Sequence, residues 1–346
     1  MRAVIDNIRE STSNWLASSG HTVHSGGVAY GSQNVKRVAS EVGADFHVTY
    51  EPSGYMTAYN GFRVPRYKKG AYEGEPLDRY VVRADTGAVL GNHSGKYPER
   101  DGYSHVFDTL EELFPDTCES ITVFGDGERL VVEQALGEPI DLDHGGGDSI
   151  QPFIYTRMSL NGTWKTEIIP VQRRVSCENM LTHAKGVIGV KATKNHDVLL
   201  TMRADVLEQS ILLGEQVKRM ARILVDQEFT NKEFVNLVDS LLPMPDGDAS
   251  MRTVNLWNEK RAAVAVRWRN ERTLWGNDYG EADGSGNMWL AYNAVQGAEQ
   301  HHINAGFKYS TTGKERSLVR TLDGKTPLAD SAERYLMDLA LGTASV

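Results

Sequence analysis

The side chains with the clearest chemical aptitude in this chain are basic and aromatic. Arg157, Lys165, Arg173 and Arg174 lie in one stretch, Gln151 to Leu181, with Trp164 among them. A second set, Arg63, Arg66, Lys68 and Lys69, surrounds Tyr67 in RVPRYKK. Guanidinium and ammonium groups contact phosphates, and aromatic faces stack on unpaired bases. Together they suit a single-stranded nucleic-acid site, with Tyr67 or Trp164 as the stacking ring. Taken singly, each cation also fits a solvated basic face.

Other chemistry is poorly supplied. His301 and His302 are adjacent, and neighbouring residues on a helix point about 100° apart, which suits chelation of one ion badly. No HExxH or CxxC spacing occurs, so no metal is expected. Gly145-Gly146-Gly147 looks like a phosphate cradle, but Asp143 and Asp148 flank it and no Lys-Ser or Lys-Thr follows. Cys177 as a nucleophile would need an oriented histidine, and His183 would sit on another side of a shared helix. No serine occupies a G-x-S-x-G elbow. The chain therefore reads as a non-enzyme without a cofactor.

The elements that must position these residues read as hairpins first and helices later. Phe153 to Met158 and Thr163 to Val171 alternate as two strands around Asn161-Gly162. An Asn-Gly pair there predicts a type I′ turn, with positive φ at both residues. The return strand delivers Arg173 and Arg174 to a helix expected to start at Ser176. Further hairpins are expected over 79–91 and 120–134. Short helices are expected over 33–42 and 107–114, and longer ones over 203–226, 231–242, 251–274, 287–301 and 331–341. This order argues for α+β: antiparallel hairpins followed by packed helices, a β-β-β-α-like core. The expected division is a flexible segment 1–30, an α+β core 31–242 and a helical region 243–346, with PMPDGD as linker.

The chain has 346 residues and a net charge of −9. The charge is segregated: residues 100–150 hold thirteen acidic residues against Arg100 and Arg129. On the helix expected over 251–274, Arg252, Lys260, Arg261, Arg267, Arg269 and Arg272 face only Glu259 and Glu271. No apolar run is long enough to span a membrane, and the first residues show no signal-peptide core. Cys118 and Cys177 are too few for a disulfide framework and fit a reducing cytoplasm.

Three stretches resemble one family, the phage and plasmid proteins of domain of unknown function 932. RYVVRADTGAVLGNHSGKY carries Val82, Arg83, Asp85, Thr86, Gly87 and Gly91. PVQRRVSCENML carries Val171, Arg173, Val175, Cys177, Asn179 and Leu181. MWLAYNAVQGAEQHH carries Ala291, Tyr292, Asn293, Val295 and His301. The chain departs from the family pattern at Gln296 to Glu299. The resemblance implies a mobile-element origin in a bacterial host cytoplasm. A more distant, fold-level likeness to the single-strand annealing recombinases (Redβ, RecT and Erf types) implies a ring or filament of identical subunits holding single-stranded DNA, with a phage exonuclease as partner.

Two functions from different classes follow as expectations. One is single-strand DNA binding and annealing in recombination, by an oligomer whose open corner at Arg173 and Arg174 grips the phosphates. Burial of both arginines in ion pairs would remove that grip. The other is a host-interaction or anti-restriction protein acting through the acidic stretch 101–148. An unrecognised hydrolase is a third.

Overall fold

The computed structural model describes residues 23–25, 33–52, 54–56, 63–65, 78–94, 99–142, 148–174, 179–181, 188–190, 203–274, 285–306 and 311–342. Within them the chain is α+β, as the order of hairpins and helices predicts. Strand β1 (Val23–Ser25) precedes helix α1 (Val35–Glu41). Strands β2 (Val48–Pro52), β5 (Asp78–Arg83) and β6 (Val89–Ser94) form a three-stranded sheet, and β3 (Gly54–Met56) pairs with β4 (Arg63–Pro65). Helix α2 (Ser104–Leu113) leads into the main sheet.

That sheet is antiparallel throughout, in the order β1, β7 (Cys118–Phe124), β8 (Arg129–Ala135), β10 (Ser149–Ser159), β11 (Thr166–Arg174) and β12 (Met180–Leu181). Strands β9 (Ile140–Asp141) and β13 (Ile188–Val190) pair with β10 and β11. Strand β1 pairs with Ser120–Thr122 of β7, so part of the segment expected to be flexible is sheet.

Four helices follow: α3 (Arg203–Val225), α4 (Asn231–Leu241), α5 (Met251–Leu274) and α6 (Met288–Ala298). A two-stranded ladder of β14 (Glu228–Phe229) and β15 (Gly286–Asn287) ties α3 to α6. Helix α6 continues into a π-helical turn, Glu299–Ile303, and the chain ends in α7 (Thr311–Leu322) and α8 (Pro327–Ala340). Helix α7 was not expected. Its described face carries few apolar residues, Leu318 and Leu322 among them, which periodicity alone does not single out.

The period-2 alternation of the strands sends side chains to two faces, and both are covered. One face (Phe153, Tyr155, Ile169 and Val171) packs under α7 through Leu318 and Leu322. On the other, Ile121, Leu130, Val132 and Met158 pack on α1 and α2. Ile150, on that same face, joins a core built from α3, α4, α5, α6 and α8, with Trp289 fully buried. That core draws on both sides of Pro243, so the linker 243–250 joins helices of one layer.

Two local expectations are corrected. The hairpin turn at Asn161-Gly162 is not type I′: Gly162 has φ 72° but Asn161 is not among the residues with positive φ. Instead Asn161 Oδ1 accepts hydrogen bonds from the Thr163 amide (3.0 Å) and hydroxyl (2.6 Å), an Asx turn within a wider loop. The segment after Arg174 returns as β12, with Met180 opposite Arg173, so the helix expected from Ser176 does not occupy Met180–Leu181. Arg173 and Arg174 stand at a strand–strand joint.

Candidate nucleic-acid interface

Arg173 and Arg174 are neighbours on β11, so their side chains leave opposite faces of the sheet. Each meets carboxylates of the protein itself. Arg173 pairs with Glu133 on β8 and lies 4.0 Å above the Phe153 ring. Glu133 also accepts hydrogen bonds from the Tyr155 hydroxyl and the Ser120 hydroxyl, each at 2.8 Å. Arg174 is 0% exposed. Its Nε donates to both carboxylate oxygens of Asp148, at 2.9 and 2.7 Å, and its Nη1 donates to Glu271 of α5. Asp148 also accepts from Trp289 Nε1 at 2.9 Å. A buried guanidinium is tolerated where paired carboxylates replace its hydration.

The predicted contact residues therefore separate. Arg173 and Arg174 are structural joints and offer no open phosphate grip. Arg157 is held by Glu167 at 2.6 Å and by Asp323. Trp164 packs edge-on against Phe124, with the Arg129 and Arg157 guanidiniums 5.0 and 5.8 Å from its ring centre. That ring is half-buried against the sheet. Lys165, beside it, is exposed. Arg63 lies on β4, and Arg66, Tyr67, Lys68 and Lys69 lie outside the described residues.

Several residues of the family-like segments bind other parts of the protein. Arg83 bonds Asp85 through Nε and Nη2, donates to the carbonyls of Gly43 and Asp126, and sits 4.2 Å over Phe46. Asn179 donates to the Asn293 carbonyl at 2.9 Å. Gln300 brackets Met180 in the manner of a strand partner, accepting from its amide (3.0 Å) and donating to its carbonyl (2.7 Å). Gln296, where the chain departs from the family pattern, donates to that same carbonyl at 3.2 Å. Gly297 beside it has no room for a side chain: a Cβ there would lie 2.8 Å from Asn179 Oδ1.

The polar groups of the π-helical turn are inward too. Both Glu299 oxygens accept backbone N–H groups from the first turn of α8, at Leu328 (3.2 Å) and Ala329 (2.8 Å). Burial pushes the Glu299 carboxyl above its ordinary value, against the pull of those two amides. Burial and the nearby Arg267 charge hold His302 below its own. Burial drives the Cys118 thiol far up, so it is inert as a nucleophile. Among the described residues no group of three or more His, Cys, Asp or Glu could hold a metal ion. No helix there is long and apolar enough to cross a membrane.

A denser set of cations lies on α5. At 24 residues it is roughly 36 Å long. Of its described side chains only Val264, Trp268 and Glu271 are buried. Lys260 and Arg267 lie close to two turns apart, on one flank, and Arg267 donates to His302 at 3.3 Å. Arg261 and Arg272 lie on the other flank. Arg261 pairs with the exposed Asp239 of α4, and Arg272 lies near the Trp268 ring. Among the described residues, Arg252, Lys260, Arg267, Arg269 and Arg272 form no ion pair. Glu271, one of the two acids on this helix, turns inward to Arg174.

No curated protein and no solved structure matches the chain. The family model described as domain of unknown function, DUF932, matches residues 103–328, a span holding the buried joint, α5 and the π-helical turn. The chain belongs to the DUF932 family.

Proposed function

We propose that the protein binds nucleic acid through α5 and catalyses no reaction. What carries this reading is the outward charge of that helix. Its cations reach solvent, while one of its two acids is buried in the joint with Arg174. Arg261 and Asp239 compensate each other. Uncompensated cations spread over about 30 Å of one helix match a polyphosphate better than a small anion. Annealing by an oligomer from a mobile element remains within this proposal, with the duplex that annealing forms as the species α5 holds. Its contact then moves from the hairpin corner to α5, with Lys165 the one hairpin cation left exposed.

The acidic-surface alternative keeps part of its surface, since Glu112, Asp116, Asp126, Glu138 and Asp141 are exposed. Within 101–148, Glu133 and Asp148 are buried, and Asp101 and Asp108 pair with His47 and Lys36.

Fluorescence anisotropy of the full chain with labelled oligonucleotides of roughly 25 nucleotides tests the reading. Affinity should fall steeply with salt, by the release of several counterions. The double variant Lys260→Glu, Arg267→Glu should lose most of it while keeping the wild-type circular dichroism. Salt-independent or absent binding by the wild type, or full binding by the variant, overturns the proposal.

A further inference from the structure

The arrangement on α5 also bears on the form of nucleic acid, an inference that rests on the reading just given. The helix carries half-buried cations on both flanks, and one exposed cation, Arg269, on its crest. Lys260 and Arg267 lie toward the π-helical turn, where Arg267 reaches His302. Arg261 and Arg272 lie toward α4 and β15, where Arg261 reaches Asp239 and Arg272 flanks Gly286. Between the flanks runs an exposed crest: Asn255, Glu259, Ala262, Val266, Arg269 and Thr273. These recur at three- and four-residue intervals, which keeps them on one line.

We infer that α5 is shaped to lie in the major groove of duplex DNA. A helix with its side chains is about 10–12 Å across, and the major groove is about 12 Å wide. A helix seated there has a phosphate backbone on each side, met by Lys260 and Arg267 on one flank and, Arg261 being held by Asp239, by Arg272 on the other. Its crest meets base edges, which calls for side chains that pair with them or pack on them. Asn, Arg and Thr pair with purine edges, a Glu carboxylate accepts from the cytosine amino group, and Ala and Val contact the thymine methyl.

A single strand asks for aromatic platforms instead, and the two tryptophans of α5 are engaged. Trp257 donates to the Leu242 carbonyl at 2.9 Å beneath Arg261. Trp268 stacks on Phe234 with ring centres 4.5 Å apart and donates to Asn231 at 2.8 Å. The deep, narrow major groove of duplex RNA does not admit a helix.

The test is a competition on the full chain between duplex DNA, either of its single strands, and the duplex RNA of the same sequence. Duplex DNA should bind at least about tenfold tighter than the others. DNA whose cytosines carry a glucosylated hydroxymethyl group, which fills the major groove, should lose about tenfold, and a minor-groove ligand should change little. Equal or tighter single-strand binding that is still abolished by Lys260→Glu, Arg267→Glu overturns this inference but leaves α5 as the interface. Indifference to the major-groove group overturns it too. Binding to no oligonucleotide overturns the underlying reading.

Discussion

Arg174 and Arg267 carry the same guanidinium on neighbouring elements, and the molecule uses them in opposite ways. Arg174 is enclosed by Asp148, Glu271 and Trp289 and ties β11 to α5 and α6. Arg267 is half-exposed on α5, and its nearest polar neighbour is a histidine. The joint takes a carboxylate from α5 and so leaves that helix more cationic outside than its sequence suggests. Burial at one place thus creates uncompensated charge at the other. The value of a cation lies in which carboxylates the fold brings to it.

The comparison breaks first at Arg174. Arg174→Met leaves Asp148 and Glu271 buried without their partner, and should cost roughly 3–5 kcal/mol of unfolding free energy. Urea denaturation measures it, and an unchanged midpoint would mean that the joint is not a buried ion pair. Gly297→Ala probes the packing beside α5, where the added methyl meets Asn179. A loss of about 1–3 kcal/mol is expected there.

The opposite signature belongs to the surface. Lys260→Glu with Arg267→Glu should weaken nucleic-acid binding by more than about tenfold and leave the denaturation midpoint close to wild type. Lys165→Glu, at the hairpin tip, should alter neither by much. A collapse of binding in that variant would return the contact to the hairpin.

Smaller again is a pH effect at Glu299. Its folded value lies above the ordinary 4.5 because it is buried. The neutral form is therefore favoured more in the folded chain than in the unfolded one. The associated stability is present in full below about pH 4.5 and is lost as pH rises through the raised value. Glu299→Gln, neutral throughout, should narrow the gap between urea midpoints measured at pH 5 and pH 7. An unaltered gap would place the pH dependence elsewhere.

Much of the fold was legible in the sequence because its signals are local. The α4 helix starts at Thr230, whose hydroxyl and Glu233 form a reciprocal capping box, and it carries Phe234, Leu237 and Val238 inward at helical spacing. The hairpin of β10 and β11 was visible in its alternation. Its turn departs from type I′ because Asn161 bonds Thr163 through its side chain, a contact that the Asn-Gly pair does not signal. The basic corner was legible as a cluster of charge but not as a buried one. Glu133, Asp148 and Glu271 lie 40, 26 and 97 residues from their arginines. No pattern of spacing relates groups so far apart.

Composition and periodicity were enough to establish an α+β chain with hairpins before helices and an excess of positive charge on residues 251–274. They work over a few turns or one hairpin, where backbone geometry alone decides which side chains share a face. Whether a cation met solvent or a carboxylate was decided by the packing of sheet against helices. Only that packing brings distant charges within ion-pair distance and takes the water from around them.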